Sequence, residues 1–298
     1  MKILGNAVRA LPMLAMAYAA ARQARNCCPN PDAAPASTRR ADRLWDWFYG
    51  LDWGEVRTNN FGFSPAEGEG SERFQHQMYG ELLKRLRAAG GPPPSTDLLE
   101  VSCGRGGGLI YLVRHWPGPV DAVGLDVADS AIRFCGQAYA DIPNLRFVRG
   151  SALALPFADQ SFDVVVNVEA SNEYGDFDAF FREVRRVLRP NGAFLYCDSR
   201  RASEAAAAQL AQAGLGGELV DITGNVIAAC EADTARRLAL IASAPLLLRL
   251  FFRRQLGDYA AVAGSFRLEE FRRRGRVYLM TCAARTEPRA RIAAAPSL

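Results

Sequence analysis

This sequence predicts an α/β fold built on a doubly wound, mostly parallel sheet, and three observations carry that prediction. Over residues 96–200 short apolar runs alternate with helical patterns at the spacing of βα units. The first run, "DLLEVS", breaks into the glycines of "CGRGGG" before the helical "LIYLVRH". The second run, "VDAVGLD", ends in an acid, Asp126. Ligands of such sheets lie across the carboxyl ends of the strands. The positions to inspect therefore follow Ser102, Asp126, Gly150, Glu169 and Asp198.

Taken in order, the chain of 298 residues opens on "MKILGNAVRALPMLAMAYAAARQARN". Its apolar part, residues 10–21, is too short to span a bilayer. On a helix Ile3, Ala7, Leu11, Leu14 and Tyr18 share one face, so the reading is an amphipathic helix against the protein or a membrane surface. A cleaved secretory signal is the alternative. The stretch "CCPNPDAAPAST" reads as a flexible linker, which makes residues 1–40 a leader and linker. Residues 41–95 form a helical cap with three tryptophans, Trp45, Trp47 and Trp53, and the helix "SERFQHQMYGELLKRL".

The core occupies residues 96–200. After the strand at "DLLEVS" and the strand at "VDAVGLD" come the helix "VADSAIRFCGQAYA" and a third strand, "NLRFVRG". A fourth strand, "SFDVVVNVE", precedes the periodic helix "FDAFFREVRRVL", the breaker "RPNG" and a fifth strand, "AFLYCD". Residues 201–260 read as a helical lid. Its "ARRLALIASAPLLLRLFFRRQ" is too interrupted for a spanning helix and reads as two helices facing a lipid-like acceptor or packed on the sheet. Residues 261–286 close the core and residues 287–298 form a flexible tail.

Composition removes several classes. Hydrophobic residues make up 49% and charged residues 23%, which excludes wholesale disorder. Seven cysteines without a framework read as reduced thiols of a cytoplasmic protein. Two histidines leave no basis for a His-built metal centre, so no metal is expected. Basic stretches without interleaved aromatics argue against a nucleic acid partner. The loop "NVEASNEY" also lacks the Asn/Asp-Pro-Pro-aromatic pattern of base methylation.

The glycines can now be read. A dinucleotide fingerprint needs a third glycine or alanine where Leu109 stands, and no Gly-Lys-Ser/Thr follows for a phosphate loop. What remains is E-x-x-x-G-x-G-x-G from Glu100 to Gly108, with Asp126 placed to accept two ribose hydroxyls. Glycines at 104 and 106 let a ligand touch the backbone. This resembles the cofactor loop of class I S-adenosylmethionine-dependent methyltransferases. "LLEVSCGRGGGLIYL", "RFVRGSALALPF", "SFDVVVNVEAS" and "LRPNGAFLYCD" are similar, more narrowly, to the phthiotriol and phenolphthiotriol dimycocerosates methyltransferases.

The resemblance implies a seven-stranded Rossmann-like sheet and S-adenosyl-L-methionine as cofactor. It implies cofactor contacts from Glu100, Ser102, Gly104, Gly106, Asp126, Val127, Ser151, Ala152 and Asn167. Ser102, Ser151 and Asn172 depart from the commoner glycine, aspartate and histidine. The implied reaction is O-methylation of a hydroxyl on a hydrophobic small molecule. N- or C-methylation and a non-catalytic accessory role are the alternatives. A hydroxyl acceptor needs a base; the candidates after the fourth strand are Glu169, read as structural or cofactor-orienting ahead of base, Glu173, the freer acid, Tyr174, and Asn172, whose amide could orient the acceptor oxygen, with His76 on the cap helix. Phe61 and Phe63 are expected to stack on the ligand or sit in the core, and Gln75 and Tyr79 to reach the cofactor's carboxylate end.

Overall fold

The computed structural model describes residues 34–286, apart from residues 202 and 245. The expected leader helix and the tail at 287–298 lie outside the described residues. Five parallel strands run in the order β3 (Leu145–Arg149), β2 (Val120–Asp126), β1 (Thr96–Val101), β4 (Phe162–Val168) and β5 (Leu188–Arg200). The closing strand β8 (Val277–Arg285) pairs antiparallel to β5. Two dipeptide strands pair with β8, β6 (Leu215–Gly216) at its C-terminal end and β7 (Val220–Asp221) at Leu279 and Met280. The sheet thus has the seven positions expected, its last one divided into two short pieces.

Strand periodicity sorts the core into two layers, because successive side chains point to opposite faces. On one face Leu98, Ala122, Val164, Val166, Leu195 and Cys197 pack with helix α2 (Arg73–Ala88) and helix α3 (Gly107–His115). On the other face Leu99, Val123, Val165, Phe194 and Tyr196 meet Phe180, Phe181 and Val184 of helix α5 (Phe177–Val187). Burial on both faces is why the parallel strands read as unbroken apolar runs. Asp176 caps α5 by accepting from the Ala179 amide at 2.8 Å.

Two expected boundaries shift. Helix α1 (Ala34–Tyr49) starts inside the stretch expected to be linker. Pro35 falls in its first turn, where a missing N–H is tolerated. The lid is also shorter than residues 201–260. Helix α6 (Ser203–Gln212), β6 and β7 lie in that span but belong to the core, since Ala206 is buried against Val277 and Leu279, and Leu210 joins the cluster of Phe180 and Phe194. The alanine-rich α6 carries no apolar stripe, and a two-residue strand has no alternation to detect. The remaining lid comprises α7 (Thr223–Ala232), α8 (Thr234–Ser243) and α9 (Leu246–Tyr259), the last kinked at Phe252. Helix α10 (Phe266–Arg272) leads into β8. Among the described residues, no helix is long and apolar enough to cross a membrane.

Candidate active site

The loop from β1 to α3 turns through left-handed backbone at Ser102 (φ 61°), Gly104 (φ 53°) and Gly106 (φ 77°). Gly104 donates its amide to Asp126 Oδ2 at 2.9 Å, and the Ala128 amide donates to Oδ1 at 2.9 Å. Asp126 is thereby buried and fixed at the end of β2, and burial raises its carboxyl above the ordinary value against the pull of those amides. The glycines are required by contact as well as by dihedral. A Cβ at Gly104 would stand 2.7 Å from the Tyr49 hydroxyl, and one at Gly108 would fall inside the Tyr79 ring. Tyr79 donates to Glu100 Oε1 at 2.9 Å. Glu100 is buried, which pushes its carboxyl up to about 8, and its Oε2 has no hydrogen-bond partner.

Ser102 and Asn167 meet through Tyr174, one of the candidates after the fourth strand. Its hydroxyl lies 2.6 Å from Ser102 Oγ and accepts from Asn167 Nδ2 at 2.8 Å. Asn167 Nδ2 also donates to the Val101 carbonyl at 3.0 Å, while its buried Oδ1 has no partner. Val127 is half-buried beside Asp126. Ser151 is exposed and accepts from the Leu153 amide at 3.2 Å, and Ala152 next to it is buried.

Beside this loop lies a cavity of about 230 Å³, lined from segments far apart in sequence. Trp45, Trp53, Phe61, Glu169, Asn172 and Glu173 all face it. Glu169 has left-handed backbone (φ 53°) at the end of β4. Its Oε2 accepts from the Phe61 amide at 2.7 Å and from the Tyr278 hydroxyl at 2.6 Å, and Oε1 accepts neither. Burial pushes this carboxyl up to about 8, despite those two donors. Asn172 gives its amide N–H and one side-chain N–H to Asp198, at 3.0 and 2.7 Å. Asp198, fully buried at the end of β5, also accepts from Ser171 Oγ at 2.5 Å. Glu173 lies at the cavity's exposed edge. Arg237, on α8, closes the far wall by donating to the Phe61 and Ala260 carbonyls at 2.6 Å each and to Asp233 at 3.0 Å.

Other candidates separate from this group. His76 stacks on Tyr111 with ring centroids 5.3 Å apart, Tyr111 stacks in turn on His115, and none of the three faces the cavity. Phe61 lines the cavity edge-on to Phe271, whereas Phe63 is core. Gln75 faces the cavity, its Nε2 held by Asp233 and its buried Oε1 unpartnered. Trp45 and Trp53 line the cavity and Trp47 does not. Asp198, Tyr278 and Tyr49 had no signal in the sequence beyond, for Asp198, a place at a strand end.

The strand order, the glycine loop after β1 and the buried acid after β2 together define a class, the S-adenosylmethionine-dependent methyltransferases of class I. Residues 99–196 match the family described as a methyltransferase domain. The chain is 35% identical over 242 residues to a probable phthiotriol/phenolphthiotriol dimycocerosates methyltransferase 2 of Mycobacterium ulcerans, covering 76% of this chain and 91% of that one. It is 40% identical over 150 residues to a fatty-acid O-methyltransferase of Mycolicibacterium smegmatis, about half of each chain. A putative sarcosine dimethylglycine methyltransferase from Galdieria sulphuraria shares the fold, with a TM-score of 0.65 at 17% identity over 81% of this chain and 98% of that one. The chain belongs to the methyltransferase family that includes the phthiotriol/phenolphthiotriol dimycocerosates methyltransferases.

The residues present suit that cofactor. Glu100 Oε2, just before the glycine loop, and Asn167 Oδ1, whose amide nitrogen reaches the Val101 carbonyl, are buried atoms without hydrogen-bond partners. A molecule bearing an ammonium, a sulfonium and ribose hydroxyls supplies the donors and positive charge they lack.

Proposed function

We propose that the protein methylates a hydroxyl of a hydrophobic small molecule and that Glu169 is the general base. The observation carrying this is the position of Glu169: it faces the cavity, its Oε2 is held by Phe61 and Tyr278, and its Oε1 is left for a proton. The names of the two curated relatives, one for phthiotriols and one for fatty acids, support a lipid-like acceptor. The cofactor supplies an electrophilic methyl group on a sulfonium. Glu169 Oε1 would take the proton of the acceptor hydroxyl as that oxygen receives the methyl group. Arg237 holds the Phe61 carbonyl, which keeps the Phe61 amide on Glu169. Asn172, tied to Asp198, keeps one side-chain N–H for the acceptor oxygen.

A carboxyl at about 8 predicts a rate that rises with pH and levels above that value. Glu169→Gln is expected to lower kcat by about 10²–10⁴-fold, with cofactor affinity retained. Wild-type kcat in that variant would remove Glu169 as the base.

The lid supports contact with a membrane surface. Leu246, Leu250 and Phe251 are 60%, 67% and 64% exposed on α9. Beside them Arg253 and Arg254 are exposed and form no ion pair among the described residues. The same helices line the cavity with Leu240, Ala244 and Leu256, so an acceptor leaving a bilayer has an apolar approach. Unpaired buried thiols at Cys103, Cys135, Cys197 and Cys230 fit a reducing compartment, and we place the protein in the cytoplasm on that ground.

A further inference from the structure

We propose that Tyr174 is a positioning residue that couples the two halves of the site. Through its bond to Ser102, a ligand on the glycine loop steadies the turn that carries Asn172. This deepens the reading of the loop as the cofactor's place and of the cavity as the acceptor's, and it rests on that reading.

Ser102 enters the loop with left-handed backbone (φ 61°), a conformation unfavourable for a residue with a Cβ and open to glycine. What serine adds there is a hydroxyl, 2.6 Å from the hydroxyl of Tyr174, 72 residues further on. Among the described residues this is the only hydrogen bond that joins residues 102–108 to residues 170–175. Asn167 holds the Tyr174 hydroxyl from the neighbouring strand. Its Nδ2 donates to Tyr174 at 2.8 Å and to the Val101 carbonyl at 3.0 Å, two bonds for the two protons of an amide nitrogen. The Tyr174 ring stands edge-on to Phe180, with centroids 4.9 Å apart.

The short turn Ser171–Glu173 is therefore held at both ends. At its start Ser171 Oγ and the Asn172 amide donate to Asp198 Oδ2, at 2.5 and 3.0 Å. At its end Tyr174 reaches the glycine loop. Between these anchors Asn172 and Glu173 face the cavity, whereas Tyr174 and Ser102 stand outside its lining. The Asp198 anchor is a buried carboxylate on β5, remote from the loop, so only the Tyr174 end feels what happens at Ser102. Coupling of this kind acts both ways, and an ordered turn favours the ligand-bearing loop in return.

The test is hydrogen exchange on the full-length chain, with and without saturating S-adenosylhomocysteine. Wild type is compared with Tyr174→Phe, Ser102→Gly and the double variant. Phenylalanine keeps the ring against Phe180 and glycine suits the left-handed backbone, so each variant is expected to fold, as thermal midpoints will check. The Glu173 and Tyr174 amides, bonded to the Ala170 and Ser171 carbonyls at 3.0 and 3.1 Å, report opening of the turn. In wild type the nucleoside should slow their exchange by about fivefold or more, the low end of ordinary coupling. In each single variant that gain should fall below about twofold, and the double variant should lose no more than either alone. A role confined to holding the fold would speed exchange in both states and leave the gain intact, which would overturn the proposal. Nucleoside binding by wild type without any gain at these amides would overturn it as well. Absence of binding by wild type, read by calorimetry, would instead overturn the cofactor reading, and the coupling with it.

Discussion

The two halves of the cavity are built by opposite means. On the cofactor side a single βαβ unit supplies nearly everything. Left-handed glycines, a buried acid at a strand end and two amide bonds from that acid fix the loop within residues 100–128. On the acceptor side the wall is assembled from the cap near Trp53 and Phe61, the end of β4, the lid around Arg237, and Tyr278 of the closing strand. The first half is specified by local backbone geometry and tolerates little change. The second depends on long-range hydrogen bonds, and on its outer lid surface Leu246, Leu250 and Phe251 are exposed.

The largest expected effect is on the local half. Asp126→Ala frees the Gly104 and Ala128 amides, and cofactor affinity should fall on the order of 100-fold, the worth of about two charged hydrogen bonds. Calorimetry checks this, and unchanged affinity would break the contrast between the two halves. Gly108→Ala drives a methyl group into the Tyr79 ring and should cost about 1–3 kcal/mol in denaturant unfolding. A cost near zero would show that the loop yields where close packing predicts it cannot.

A third test compares the two glutamates. Glu100 and Glu169 are both pushed up to about 8 from an ordinary 4.5, so between those values the folded state keeps protons that the unfolded chain has released. Stability should therefore fall as pH rises from about 4.5 to 8. Glu100, the more deeply buried, contributes a slope on the order of 1 kcal/mol per pH unit at most. Glu100→Gln and Glu169→Gln should each flatten the curve by a similar amount, and an unchanged curve in either variant would contradict the raised value of that carboxyl.

The smallest effect on stability belongs to the lid. Leu250→Asp with Phe251→Asp changes only exposed positions and should move unfolding by less than about 0.5 kcal/mol. Flotation with phosphatidylglycerol vesicles should nevertheless be lost, while activity on a short, water-soluble acceptor is kept. Retained flotation would remove this surface from any membrane role.

Much of the fold was legible because parallel strands buried on both faces leave continuous apolar runs and glycine turns leave gaps between them. All five strands of residues 96–200 appear where those runs stand, although β5 also takes in the expected breaker at residues 189–192, across a register shift against β4. Helix α6 and the strands at 215–221 were assigned to the lid, since polyalanine and dipeptides carry no period. Among site residues, Glu100, Asp126, Glu169 and Asn172 occupy the loop or the cavity rim. His76 had the right chemistry but sits on a different face of α2, stacked on Tyr111.

The sequence by itself determined the class of the protein and the place of its glycine loop, since both follow from residues close together in the chain. Left-handed backbone demands glycine, and a strand-end acid follows its strand. Only the tertiary structure decided which of Glu169, Glu173 and His76 line the cavity. Those facts depend on segments more than a hundred residues apart, brought within hydrogen-bond distance by the packing of cap, lid and closing strand.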